Sequence, residues 1–466
     1  MVPSKPPPIR VSMQILNMLS NTKESNEAPE HGRLPAVQTN GHEGNSTGQE
    51  NGAMGEERPT DGGHMAWLQV SAAFFLYWNS LGLLNGFGAF QTYYEESLLS
   101  DMSSSAISWI GSIQIFLLMA GGVFFGPLYD LGYTRSMLVA GTCLVAFGFM
   151  MISISTQYYQ ILLAQGFCLG VGTSCLYMPA ITLVPAYFTT KRALAMGFAT
   201  VGSSLGAIVY PLVFEQLQPR VGFAWTVRVI GFIALALCCY AVAVAKPRVM
   251  SKRTGLPKSS LRELVKKAGL LDKRYMVQCI AVFFSNVAFF EPLYYLQSYA
   301  LTHGMQGQSL AKYLLVILNA VSIPGRLMPS FVADRVGVLD TYIGICTLTA
   351  VSIFYWISVN NTAGNIAFSV LYGFFSGGVV TLAPVVLANI TDDLSVLGTR
   401  LGFVAVLKGI GSLIGPPIAG AILEHTGNYE GMQLFAGLAM SLTVVFAGQL
   451  RIMIARHKAS ANDGSS

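Results

Sequence analysis

Hydrophobic positions run through this chain in long blocks instead of alternating with polar ones. A helix needs about 20 mostly apolar residues to cross the hydrocarbon layer of a bilayer. Twelve blocks of that kind can be traced, at about 68–90, 106–126, 135–155, 159–183, 193–214, 223–245, 275–299, 312–332, 341–359, 364–388, 401–423 and 432–453. Only helices and closed barrels satisfy their backbone groups in lipid, and apolar runs this long read as helices. The pattern therefore predicts an all-α integral membrane protein with twelve transmembrane helices. Pro179 and Pro185 interrupt the fourth block near its end, so its boundary is the least defined.

Two polar segments divide the chain. Residues 1–60 are rich in Pro, Ser, Asn, Gly, Glu and Thr and read as a disordered tail. Residues 246–274 separate the sixth block from the seventh. The predicted organisation is a tail (1–60), a six-helix bundle (61–245), a central loop (246–274), a second six-helix bundle (275–455) and a short tail (456–466). An internal repeat supports the halving. Met196-Gly197-Phe198 followed by Gly206 recurs as Leu401-Gly402-Phe403 followed by Gly411, at the same spacing. Each copy follows a basic residue, Arg192 or Arg400, and opens the fifth block of its half. Gly126 to Asp130 and Ser330 to Asp334 likewise end the second block of each half. Half-to-half similarity is expected when two bundles rock about a central site.

Composition agrees. Charged residues make up 11% of the chain and hydrophobic ones 53%, where a soluble domain carries about 25% charged residues. The 48 glycines suit helices that approach closely in lipid. With the N-terminus cytoplasmic, all of the 28 Lys and Arg except Arg220, Arg228, Lys312 and Lys408 fall on the cytoplasmic side. That is the inside-positive arrangement, and it puts both termini in the cytoplasm. It also accounts for the basic central loop without nucleic acid. The seven cysteines lie in apolar runs without CxxC pairs or His clusters, so neither a disulfide framework nor a metal site is expected.

Several motifs together resemble the major facilitator superfamily and, within it, the fungal branch of the monocarboxylate porter family. Asp61-Gly62-Gly63 followed by Trp67 is similar to that family's N-terminal signature, and Tyr187 through Gly197 is similar to its second. Gly126 to Arg135 resembles the superfamily's loop between spans two and three. Gly325-Arg326 with Ala333 to Gly337 resembles the family's eighth span and its exit. The resemblance covers residues 61–455 and implies two bundles, cavity-lining spans one, four, seven and ten, and alternating access. Two departures argue against a simple monocarboxylate substrate and a proton-coupled Asp–Arg switch. Asn85 stands where animal members that carry lactate-like acids have Lys, and Ser322 stands where they have Asp one turn before Arg326. The fungal branch includes carriers of vitamins, acids and secondary metabolites, several of them exporters.

Ionisable groups inside a bilayer are costly and tend to face a cavity or a partner. Arg326 lies roughly 9 Å, and Lys408 roughly 12 Å, from the cytoplasmic end of its span at 1.5 Å per residue. Two cations at similar depth in one half would hold an anionic or carbonyl-rich solute; the second reading of Arg326 is an interfacial, gating role. Glu291, about 24 Å from that end on the same scale, is the candidate proton-titrating group or a group that binds part of the solute, with an outer-interface Glu reaching water as the alternative. Asn79, Asn85, Tyr177, Tyr294 and Asn319 are uncharged candidates for substrate binding, each with helix–helix bonding as its alternative. Asp130 with Arg135, and Asp334 with Arg335, are candidate gating groups at helix ends. Arg228 reads as structural, near the outer interface.

No Walker loop or HExxH motif is present, and the chain reads as a non-enzyme without a cofactor. Of its sequons, Asn360 would face outside and is a candidate glycosylation site. The expected protein is a secondary transporter of a small organic acid or secondary metabolite. It would lie in the plasma membrane, with export favoured and protons as a candidate coupling ion. Uptake of a monocarboxylate or vitamin is one alternative, and a non-transporting sensor with a transporter fold is the other. Oligomeric state is left open.

Overall fold

A computed structural model describes residues 63–102, 104–246, 268–306 and 309–463. The expected tail at 1–60 and most of the central loop lie outside the described residues. Everything described is helix or short connection. Ten helical stretches are long and apolar enough to cross a membrane. One of them, Arg192–Val244, is two helices, because Gly222 breaks it at φ 79°. A further helical run begins at His64 and continues through wider π-type turns at Trp78–Gly82 and Tyr94–Leu98. Twelve membrane helices result among the described residues.

Taken in chain order, α1 covers 64–98, and α2 joins Ser104–Ala120 to Gly122–Asp130. Then α3 is Thr134–Ile154 and α4 is Tyr158–Ala186. The kinked stretch supplies α5 (192–221) and α6 (223–244). In the second half, α7 is Lys273–Thr302, α8 Leu314–Val336 and α9 Val338–Ile357. The last three are α10 at Thr362–Asn389, α11 at Leu397–Thr426 and α12 at Glu430–Asp463. Several helices outrun their apolar blocks: α5 extends to residue 221 where the block stops near 214. Hydrophobicity marks the lipid-immersed part, while backbone hydrogen bonding carries each helix on into the interface.

Large apolar side chains point outward along the bundle, and Trp109, Phe124, Phe147, Leu438 and Val445 are all more than half exposed. In water such a surface would aggregate; in lipid it is solvated. Packing between helices relies on glycine. An added Cβ at Gly202 would overlap the Phe74 carbonyl oxygen of α1, and one at Gly206 would stand 2.8 Å from the Trp78 carbonyl oxygen. In the second half Gly411 and Gly415 of α11 meet the carbonyl oxygens of Phe283 and Val287 on α7 in the same way. The repeat seen in the sequence thus includes the seam that joins the first and fifth helices of each bundle.

The repeat's earlier glycine faces the other bundle. A Cβ at Gly197 would lie 2.9 Å from the Arg326 carbonyl oxygen and 2.9 Å from Ser330 Oγ on α8. A Cβ at Gly402 would overlap the Gly122 carbonyl oxygen on α2. These contacts join the bundles at the end that carries Arg135, Lys191, Arg192, Lys246, Arg335 and Arg400, called the basic end below.

Gly202→Leu is expected to lower the thermal midpoint of the purified protein, since an overpacked helix seam costs on the order of 1–3 kcal/mol. Gly402→Leu should leave each bundle folded but hold the basic end apart. A melting curve together with maleimide access to a cysteine placed at the buried Ala193 separates the two effects.

Candidate functional site

A cavity between the bundles, partly open to solvent, spans about 600 Å³ of non-atom space. Its walls come from α1, α2, α5, α7, α8, α10 and α11. The π-type turn at Trp78–Gly82 changes the register of α1 just before the cavity, and Leu81, Leu84 and Asn85 line the wall that follows. Arg326 of α8 and Lys408 of α11 both line it, and no Asp or Glu does among the described residues. Phe289 and Phe290 of α7 form an apolar wall, with Ser203, Ser285 and Asn286 as neutral polar groups.

Three of the residues predicted to bind substrate therefore meet in one place: Asn85, Arg326 and Lys408. Tyr177 joins them at one remove, because Lys408 Nζ donates to its hydroxyl at 3.4 Å. Asn79 does not join them. Its amide donates to the Ala234 carbonyl oxygen at 3.1 Å and to Cys238 Sγ at 3.2 Å, and its Oδ1 accepts from the Tyr210 hydroxyl at 2.5 Å. Those bonds tie α1 to α5 and α6, so Asn79 is occupied within its own bundle. Asn319 donates to the Leu315 carbonyl oxygen in its own helix. Tyr294 is half exposed and lies off the cavity wall.

Glu291 is fully buried, and neither carboxylate oxygen has a hydrogen-bond partner. It stands beside the cavity-lining Phe290 in sequence but does not itself line the cavity. Tyr295 of its own helix and Tyr372 of α10 are within electrostatic reach of it. It makes no bond with Lys408.

The carboxylates at the ends of α2 and α8 reach the opposite bundle. Asp130 accepts from the backbone N–H of Gly398 at 2.9 Å and of Thr399 at 2.6 Å, and from the Thr399 hydroxyl at 2.6 Å. Asp334 accepts from the backbone N–H of Ala193 at 2.9 Å and of Leu194 at 2.8 Å. Each carboxylate thus caps the first turn of the fifth helix of the other bundle. Those N–H groups are the orphan donors of a helix N-terminus, where the helix dipole also favours negative charge. Arg335 lies over the Phe331 ring at 4.0 Å, and Arg135 is exposed. Arg192 donates to Asn389 Oδ1 at 2.8 Å, linking α5 to α10. Arg228 donates to Ser153 Oγ at 3.2 Å and stacks on Trp225. Asn360 is exposed in the short link between α9 and α10.

Above these caps runs a polar seam that sequence reasoning missed. Ser204 and Ser322 hydroxyls lie 2.7 Å apart, and those of Thr200 and Thr381 lie 2.9 Å apart. Arg326 Nη1 donates to the Thr200 carbonyl oxygen at 2.9 Å. All three bonds join α5 to α8 or α10 across the bundles. Small hydroxyl residues in a glycine-rich helix read as packing in one dimension. Only the meeting of two helices shows them as paired.

The family model described as Major Facilitator Superfamily matches residues 68–363 and 327–464. The MFS-type transporter dbaD of Emericella nidulans is 39% identical over 81% of this chain and 84% of its own. The aspyridones efflux protein apdF of the same organism is 39% identical over 83% of this chain and 78% of its own. The MFS transporter asaE of Aspergillus flavus is 37% identical over 85% and 89%. Among solved structures the E. coli fucose:proton symporter FucP superposes with a TM-score of 0.67 at 16% identity, over 82% of this chain and 98% of that one. Two matched six-helix bundles, a cavity between them and these relatives give one result: the chain belongs to the Major Facilitator Superfamily, a membrane transporter of a small solute by alternating access and not an enzyme.

Proposed function

We propose that this transporter exports a small organic acid or an acidic secondary metabolite across the plasma membrane, as a member of the fungal branch of the monocarboxylate porters. The supporting observation is the charge of the cavity. Arg326 and Lys408 line it with no carboxylate among the described lining residues. Two such cations away from bulk water attract an anion far more strongly than they would in solution. The apolar wall of Phe289 and Phe290 suits a solute with a hydrophobic body. Similarity to an aspyridones efflux protein favours export. The inside-positive rule puts the basic end, and both termini, in the cytoplasm.

Glu291 is proposed as the proton-exchanging group. An unpaired charge at its buried position costs several kcal/mol. A carboxyl that gains and loses a proton as the bundles rearrange avoids that cost in one state and uses it to drive the other. Asp130 and Asp334 are proposed as gating groups. Their bonds exist only while the basic end is closed, and each cap is worth about 1 kcal/mol.

The reading is tested by comparing organic acids retained and released by cells with and without the gene. Lys408→Gln should reduce release of the transported acid at least tenfold with surface abundance unchanged. Transport of neutral or cationic solutes alone would sink the reading. Glu291→Gln should flatten the dependence of flux on external pH; a wild-type flux indifferent to pH removes the proton role. Asp130→Asn should slow transport severalfold without loss of expression, and unchanged flux would count against gating.

A further inference from the structure

Arg326 has two claims on it. It lines the cavity, yet its Nη1 is held by the Thr200 carbonyl oxygen of the other bundle at 2.9 Å. That oxygen also accepts from the Ser203 hydroxyl at 2.9 Å, so it is heavily used while the bundles are closed. Arg326 itself is 6% exposed, and its Nε is sealed from the cavity without a partner. A buried donor left unsatisfied costs free energy. A carboxylate can recover that cost through the forked face of the guanidinium. To present Nε to the cavity, however, the guanidinium must turn, and turning takes Nη1 away from Thr200.

We propose that the Thr200 carbonyl and the transported anion compete for Arg326, so that closing the basic end displaces the anion from its cation. The inference rests on the anionic reading of the substrate and adds the device that changes affinity between states. With the basic end open, α5 withdraws from α8 and Arg326 belongs to the cavity. On closure the hydroxyl pairs Ser204–Ser322 and Thr200–Thr381 form, the Thr200 carbonyl arrives on the guanidinium, and the anion is left with Lys408 and the neutral groups. For an exporter this places weak binding on the side of release. Linkage makes the effect reciprocal: an anion that binds better when the seam is parted must also part the seam.

The test uses the full chain in nanodiscs with three anionic probes, benzoate, 4-phenylbutyrate and decanoate, and 4-phenylbutanol as the uncharged control. A cysteine replaces Ala193, which is fully buried beside the Asp334 cap. The expected result is that a probe which binds raises the rate of maleimide labelling at this position several-fold, while phenylbutanol does not. Ser322→Ala, which removes one hydroxyl pair, should raise the labelling rate without probe and also tighten probe binding. Thr381→Val serves the same purpose if the first variant folds poorly. A seam that only packs would change labelling and leave affinity alone. If a probe binds and labelling stays flat, the competition is wrong and the anionic reading survives. If none of the three binds, the anionic reading falls and takes this inference with it.

Discussion

Two carboxylates on two foreign helix ends hold the closed form together. A helix N-terminus leaves backbone N–H groups without partners. In a protein solvated largely by lipid, those groups must be met by protein or reach the interface. Asp130 meets two of them on α11 and Asp334 two on α5, at 2.6–2.9 Å. The bonds require the bundles to touch, and that contact is possible because Gly197 and Gly402 carry no side chain where α8 and α2 press in. With the basic end shut in this way, the polar seam forms above it and the cavity is bounded on that side. Each cap joins a helix end of one bundle to a carboxylate of the other.

The closed end also sets the electrostatics of the cavity. Arg326 is kept in a buried place by a backbone carbonyl, a weaker acceptor for a cation than a carboxylate. Lys408 is kept by a phenol hydroxyl at 3.4 Å. Neither cation is neutralised within the cavity wall. A protein could have placed an acid there and gained stability, but the site would then have attracted cations. Leaving both charges to dipoles costs stability and leaves room for an anion. Among the described residues the one fully buried carboxyl, Glu291, follows Phe290 in sequence and is outside the lining.

Much of the fold was legible in the sequence because lipid makes long apolar runs nearly synonymous with helices. The twelve spans, the halving and the glycine repeat all follow from one-dimensional patterns. Asn85, Arg326 and Lys408 were legible as site residues by the cost of polar groups in a bilayer, and they do meet. That same rule picked out Asn79 with two readings, and its amide is taken up by Tyr210, Ala234 and Cys238, the helix-bonding one. The cost argument says that a polar group must have a partner; it does not say whether the partner is solute or helix. The roles of Asp130 and Asp334 were read toward neighbouring arginines, because charge is visible in a sequence and an orphan N–H is not. Thr200, Ser204 and Thr381 carried no signal, and Ser322 only that of a missing Asp, since each hydroxyl can equally bond its own helix and gains meaning only from its opposite number.

Register between the halves separates the caps at the basic end from the cavity. Aligning Gly197 with Gly402 brings Ala193 and Leu194 onto Gly398 and Thr399, the paired recipients of the caps. Gly197 packs against Arg326 and Ser330, and Gly402 against Gly122 and Gly126, which are the same positions of α8 and α2. The cap and its glycine contact are therefore built twice. The charge of the cavity is not. Lys408 falls in register with Ser203, which also lines the cavity, and Arg326 with Gly122. Both cations thus lie in one half at positions where the other half has a hydroxyl and a glycine. Both copies of the cap lie at the basic end, so one packing solution joins the bundles there from either side. The asymmetry leaves both cations in the second bundle, while the first faces the cavity with the neutral hydroxyl of Ser203. Arg326 belongs to both patterns, because its side chain lines the cavity and its carbonyl oxygen lies 2.9 Å from where a Cβ on Gly197 would stand.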